Sequence, residues 1–195
     1  MATHRKTKTS DPLLGAVRDL LAAIGSDPRR AGLEQTPARA AEAWRVFTRG
    51  YGMSARDVFA DGVFEEAHDG LVVVRDIDFF SVCEHHLVPF FGRCHVAYLP
   101  SGRIAGLSKF ARLVDVHARR LQVQERMTRD IARDIQTHLK PHGVAVQVEA
   151  RHLCMAMRGV EQKNADVVTT SMLGAFRNDP ARAAEFHALL SREAK

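Results

Sequence analysis

Apolar positions recur along this chain with two periods, and the places where one gives way to the other outline the elements. Ser10, Asp11 and Pro12 supply cap and first-turn residues for an apolar-periodic helix through about Ala23, and Gly25 with "SDPRR" marks its end. Thr36 and Pro37 repeat that device before a second helix, "ARAAEAWRVFTRG", closed by Gly50 and Gly52. From Leu71 the period changes. "LVVVRDIDFF" and "RCHVAYLP" have the β-branched and aromatic character of strands, and "GVAVQVEARHLCM" alternates Val144, Val146 and Val148 on one face. Between these lie helices, the first from about Ser108 to Arg120. The second, "VQERMTRDIARDIQTHL", spaces Met127, Ile131, Ile135 and Leu139 by four. A strand, "ADVVTTSML", precedes a last helix from about Pro180 that carries Phe186, Leu189 and Leu190. This order predicts an α+β fold with mostly antiparallel pairing.

Composition narrows the class. The 195 residues, 46% hydrophobic and 26% charged, suit one globular core with an N-terminal extension. Residues 1–10 are expected to form a disordered basic arm, 11–66 a helical region and 67–195 the main domain. No apolar run approaches the roughly 20 residues of a membrane span, and the basic start has no apolar signal region behind it, so a cytoplasmic protein is expected. Cys83, Cys94 and Cys154 cannot all pair within one chain, which suits a reducing compartment and leaves metal ligation open. The formal charge of +5 favours anionic partners: nucleic acid, a membrane surface or a phosphorylated small molecule.

Candidate chemistry concentrates in "SVCEHHLVPFFG", Ser81 to Gly92. Cys83 and His86 have the C-x-x-H spacing with which one turn of chain presents thiolate and imidazole to one ion, a mixture zinc favours. A third donor is available at Cys154 in "RHLCM", where His152 two residues earlier shares its face if both lie on a strand. Three protein donors leave a tetrahedral ion one open position for water, with His85 and His152 nearby for proton transfer. From spacing alone, solvated turn residues and buried cysteines explain the pattern equally. Cys94 has no histidine at ligand spacing, because His95 points to the opposite face, and is read as core.

Two further groups stand out. In "GLSKFAR", Ser108 can cap a helix whose first turns place Lys109 and Arg112 on one face, a corner suited to phosphate or merely a solvated helix start. In "RLQVQER", Gln124 and Glu125 offer an amide and a carboxylate that could read the donor edge of a base, or are plain surface polarity.

Taken together, "CEHHLVPFFG", "HVAYLP", "GLSKFARLVDV", "RRLQVQERMT", "GVAVQVEARHLCMAMRGV" and "TPAR" resemble the type I GTP cyclohydrolases, in family order over most of residues 36 to 176. That resemblance implies conversion of GTP and water to formate and 7,8-dihydroneopterin triphosphate, the entry reaction of folate and tetrahydrobiopterin synthesis. It implies zinc (Zn2+) held by Cys83, His86 and Cys154, His85 as proton donor and His152 as a second histidine at the reacting centre. It assigns Lys109, Arg112 and Arg158 to the triphosphate, with Ser108 and Arg39 as weaker members, and Glu125 with Gln124 to guanine. The implied fold is the T-fold, with residues 67–195 its catalytic domain, assembled as a homodecamer of two pentamers with active sites between subunits. Val167 and Ala183 depart from the family pattern, which often has threonine and arginine there. Two rival classes use part of this set. A zinc-stapled module needs the ligands but not His85, His152, Glu125 and a cationic helix start together. A nucleic-acid binder explains the charge, yet no binding motif is present and no nucleic-acid or membrane partner is expected.

Overall fold

The computed structural model describes residues 11–27 and 29–191, so the arm expected at 1–10 lies outside it. The chain divides into two compact units, one up to Val46 and one from Phe47.

In the first unit α1 spans Pro12–Ala23, with the Asp11 carboxylate accepting the Leu13 N–H at 3.2 Å and proline in the first turn. Gly25 follows at φ +82°, a conformation open to glycine, and stops the helix. α2 spans Thr36–Phe47, and its Arg45 pairs with Glu42 and with Asp11.

The second unit carries a short 3₁₀ turn at Arg49–Gly52 and α3 at Ala55–Phe59, capped by Ser54. Its remaining elements in chain order are β1 Val63–Glu65, β2 Val72–Cys83, β3 Pro89–Leu99, β4 Arg103–Ala105, α4 Leu107–Ala118, β5 Leu121–Gln122, α5 Gln124–Leu139, β6 Gly143–His152, α6 Leu153–Ala156, β7 Val167–Gly174, α7 Ala175–Asn178 and α8 Pro180–Leu190. The main sheet has the order β5-β2-β3-β6-β7, and β1 with β4 forms a separate ribbon. All main-sheet pairs are antiparallel except β5 with β2.

The periods explain the layering. The four-residue stripe of α5, Met127, Ile131, Ile135 and Leu139, is buried with Phe110, Leu113 and Val114 of α4 against Cys94, Val96, Tyr98, Val144, Val146 and Val148. Each fully buried side chain of this kind contributes about 1.5–3 kcal/mol relative to exposure. On the opposite face Ala97, Leu99 and Ala145 are covered by Phe176 and Phe186. Cys94 is core, as expected, and burial pushes its thiol up to about 12. Where β3 crosses β6, a Cβ at Gly92 would fall 1.9 Å from the Glu149 carbonyl oxygen, so only glycine permits that approach.

Two sequence expectations are corrected. β6 ends at His152, and Cys154 sits in the single turn α6, where Met157 N–H closes on Leu153 O at 3.0 Å. The shared-face spacing of a strand therefore does not apply to it. Ser108 is not the cap of α4; Gly106 takes that position, and Ser108 lies exposed within the first turn. No helix among the described residues is long and apolar enough to cross a membrane.

Candidate metal centre

The turn after β2 is built by the backbone before any side chain acts. Cys83 N–H donates to Val88 O at 2.9 Å, Leu87 N–H returns to Cys83 O at 2.9 Å, and Leu87 takes φ +55°. Glu84 N–H donates to Gln122 O at 3.1 Å, while the Arg126 guanidinium grips both Glu84 oxygens at 2.7 and 3.0 Å. That guanidinium holds the Glu84 carboxyl below its usual range. The turn is thus fastened to β5 and to the first turn of α5.

Fastened this way, it brings Cys83 Sγ within 3.7 Å of His86 Nδ1. Cys154 Sγ joins from α6, and the three donor atoms lie within 4.8 Å of one another. Zinc bonds of about 2.3 Å to sulfur and 2.0–2.1 Å to nitrogen, at a tetrahedral angle, place the donors about 3.6 Å apart. The donor set fits that ion in kind and spacing. Burial and the neighbouring Cys83 thiol push the Cys154 thiol up, against the pull of Arg158. Two adjacent sulfurs cannot both ionise cheaply without a cation, and a divalent metal meets that need.

Around the donors, His85 projects outward, with 65% of its side chain exposed and its ring turned 81° from that of His86. His152 is stacked flat on Phe90, centroids 4.5 Å apart and planes 5° from parallel. Burial lowers its pKa, opposed by the charge of Glu125, which places that exposed carboxylate in its electrostatic reach. Gln124 is buried and hydrogen-bonds His152 Nε2 at 2.7 Å.

The cationic set lies elsewhere in the chain. Lys109 is nearly buried and its ammonium bonds Asp61 at 2.6 Å, holding that carboxyl low with a further contribution from Arg112. Arg112 and Arg158 are exposed; Arg39 is an exposed residue of the first unit. α4 begins beside the ribbon, where Gly106 N–H meets Gly62 O, and ends at β5, which pairs with Cys83. Lys109 and Ala118 alone are separated by about 14 Å of helix axis. The structure therefore gathers Cys83, His86, Cys154, His85, His152, Gln124, Glu125 and Arg158 at one end of β2 and leaves Lys109 at the other.

Thr128, Thr169, Phe90 and Arg126, which shape this end, carry no sequence signal of their own. Their partners are distant in the chain, and only the register of β3, β6 and β7 under α5 brings them in.

Three soft and borderline donors converging beside a stacked histidine and a carboxylate in an α+β fold form a candidate metal centre of the kind the sequence resemblance implies. The chain belongs to the GTP cyclohydrolase I family, which it matches over residues 14–191. It is 52% identical to a GTP cyclohydrolase 1 of Gloeobacter violaceus over 184 residues, 94% of this chain and 86% of that protein. It is 54% identical to a GTP cyclohydrolase 1 of Deinococcus radiodurans over 169 residues, 87% of this chain and 78% of that one. The GTP cyclohydrolase 1 of Homo sapiens is 52% identical over 178 residues, 91% and 71% of the two chains. The antiparallel sheet carrying α4 and α5 agrees with the α+β T-fold expected for the family.

Proposed function

We propose that this protein converts GTP and water to formate and 7,8-dihydroneopterin triphosphate, with zinc as its metal. The observation that carries the reading is the convergence of Cys83, His86 and Cys154 beside His152 and Glu125 in a chain of this family. Cys83, His86 and Cys154 would hold the zinc, which would supply Lewis acidity and lower the pKa of water there.

The chain's own groups do the rest. His85, exposed on the turn that carries His86, offers a proton to the opening guanine ring. His152 is held in plane by Phe90 and brings an imidazole to the reacting centre. Glu125 accepts two N–H bonds from guanine, which rejects adenine because adenine leaves the carboxylate unpaired. Lys109, Arg112 and Arg158, with Ser108, hold the triphosphate; the substrate's anion competes with Asp61 for Lys109. The separation of Lys109 from the sulfur donors supports a site between subunits, in which one chain supplies the metal donors and Arg158 and its neighbour supplies Lys109; the family resemblance gives that assembly as a decamer of two pentamers. Three free cysteines support a reducing, cytoplasmic setting.

Incubation with GTP, followed by the absorbance and oxidised fluorescence of the pterin, tests the reading. Zinc content should match chain concentration, and Cys154→Ala should lose metal and turnover together. In His85→Ala zinc should stay while turnover collapses; equal loss of both would show that the two histidines have exchanged roles. Glu125→Gln should lower kcat/KM for GTP by about 10- to 100-fold, the worth of hydrogen bonds to a charged acceptor.

A further inference from the structure

The amide of Gln124 has every donor and acceptor engaged. Its Nε2 lies 3.0 Å from Val148 O, 2.9 Å from Val167 O and 3.2 Å from Thr169 Oγ1, and its Oε1 lies 2.7 Å from His152 Nε2. Carbonyl oxygens only accept, so the amide has one allowed orientation; turned over, it would set its oxygen against both carbonyls. The threonines extend this logic. Thr128 Oγ1 donates its single proton to Gln124 O at 2.8 Å. In the 2.7 Å contact between Thr128 Oγ1 and Thr169 Oγ1, the proton must therefore come from Thr169. Thr169 Oγ1 then faces the Gln124 amide only as an acceptor, sharing its two hydrogens with the two carbonyls.

Each hydrogen in this chain has a single direction, and its last oxygen, Gln124 Oε1, can only accept. Gln124 and Thr128 are each 1% exposed, and although Thr169 is only half-buried, the two carbonyls by themselves fix the orientation of the amide. The nitrogen facing Oε1 must carry the hydrogen.

We propose that the chain from Thr128 through Thr169 to Gln124 is a positioning device for His152. It fixes the imidazole as the Nε2–H tautomer and leaves Nδ1 as the nitrogen with a free lone pair. Gln124 serves the histidine and not the edge of the guanine base, a task left to Glu125. Phe90 fixes the plane of the ring, and Gln124 fixes its rotation and its proton. The consequence for catalysis rests on the reading that His152 stands at the reacting centre; the tautomer does not.

The test is solid-state 15N NMR of the zinc-loaded, assembled protein labelled at histidine, with the His152 signals assigned by their loss in His152→Asn. In the neutral ring a proton bonded to Nε2 and a bare Nδ1 are expected; a bare Nε2 overturns the proposal. Gln124→Met, of similar volume but without the acceptor, should release the tautomer into a mixture or reverse it, and an unchanged Nε2–H signal there would also overturn it. Steady-state kinetics separate the two tasks. Loss of a positioning partner should lower kcat by about 10- to 100-fold with the KM for GTP near wild type. Loss of a base reader would instead raise KM with kcat kept, and that result sinks the proposal. If Gln124→Met does not fold, the wild-type spectrum still decides the tautomer. If the wild-type protein does not turn over GTP, the functional reading fails while the spectrum stands or falls by itself.

Discussion

His95 shows how burial alone can tie one residue to the acidity of the medium. Its Nδ1 accepts the Asp76 N–H at 3.1 Å, where Asp76 sits at φ +57° in the bulge of β2 between Val74 and Ile77. Burial lowers its pKa from 6.5, assisted by Arg93 and Arg75 and opposed by Glu149 and Asp76. The unfolded chain thus binds this proton more readily than the native one, so the contribution to stability is complete above the unfolded value and lost as pH falls through and below it. Melting temperature should fall between about pH 7.5 and pH 5.5, and His95→Gln should flatten that dependence. An unchanged slope in the variant would remove His95 from the account. Legibility at this scale follows distance along the chain. Cys83 and His86 announce themselves because both donors sit in one turn. The engagement of Gln124 does not, because its partners lie 24, 43 and 45 residues away and are chosen by strand register.

Among the elements, the turn between β2 and β3 depends on a neighbour that donates nothing to the metal. Arg126 reaches back from α5 to both oxygens of Glu84, next to Cys83, and so fixes the side from which Cys83 and His86 approach each other. Arg126→Met should weaken zinc binding by about 10- to 100-fold, the usual effect of losing a partner that orients ligands. Competition with a chromophoric chelator measures it, and the melting temperature of the metal-free protein should hardly move because solvent-exposed ion pairs contribute little. Equal affinity in the variant would mean that the backbone bonds of the turn suffice. The long elements were legible because their periods run through many residues: α1, α2, α4, α5, α8 and the strands β2, β3, β6 and β7 stand where the pattern put them. The short ones, α3, β1, β4, β5, α6 and α7, span two to five residues and show no period to read. One of them mattered, since α6 carries Cys154 off the strand on which alternation had set it.

For the molecule as a whole, the open sheet and the divided site pose the same question. Among the described residues β7 is an edge strand of eight residues and most of β2 is unpaired on its outer side, since β5 covers only Val82 and Cys83. Long free edges invite pairing with other chains. If neighbours join there, Lys109 of one subunit comes to the metal donors of the next, and the distance between Lys109 and Cys83 within a chain ceases to be an obstacle. Two inactive variants test this directly. Cys83→Ala lacks a metal donor and Lys109→Ala lacks a phosphate contact, and neither should turn over GTP alone. Unfolded together and reassembled, they should regain activity, because some sites then combine an intact donor set from one chain with an intact cation from another. Continued silence of the mixture, with assembly shown by sedimentation, would require both groups to act from the same chain and would leave Lys109 without a place at the substrate.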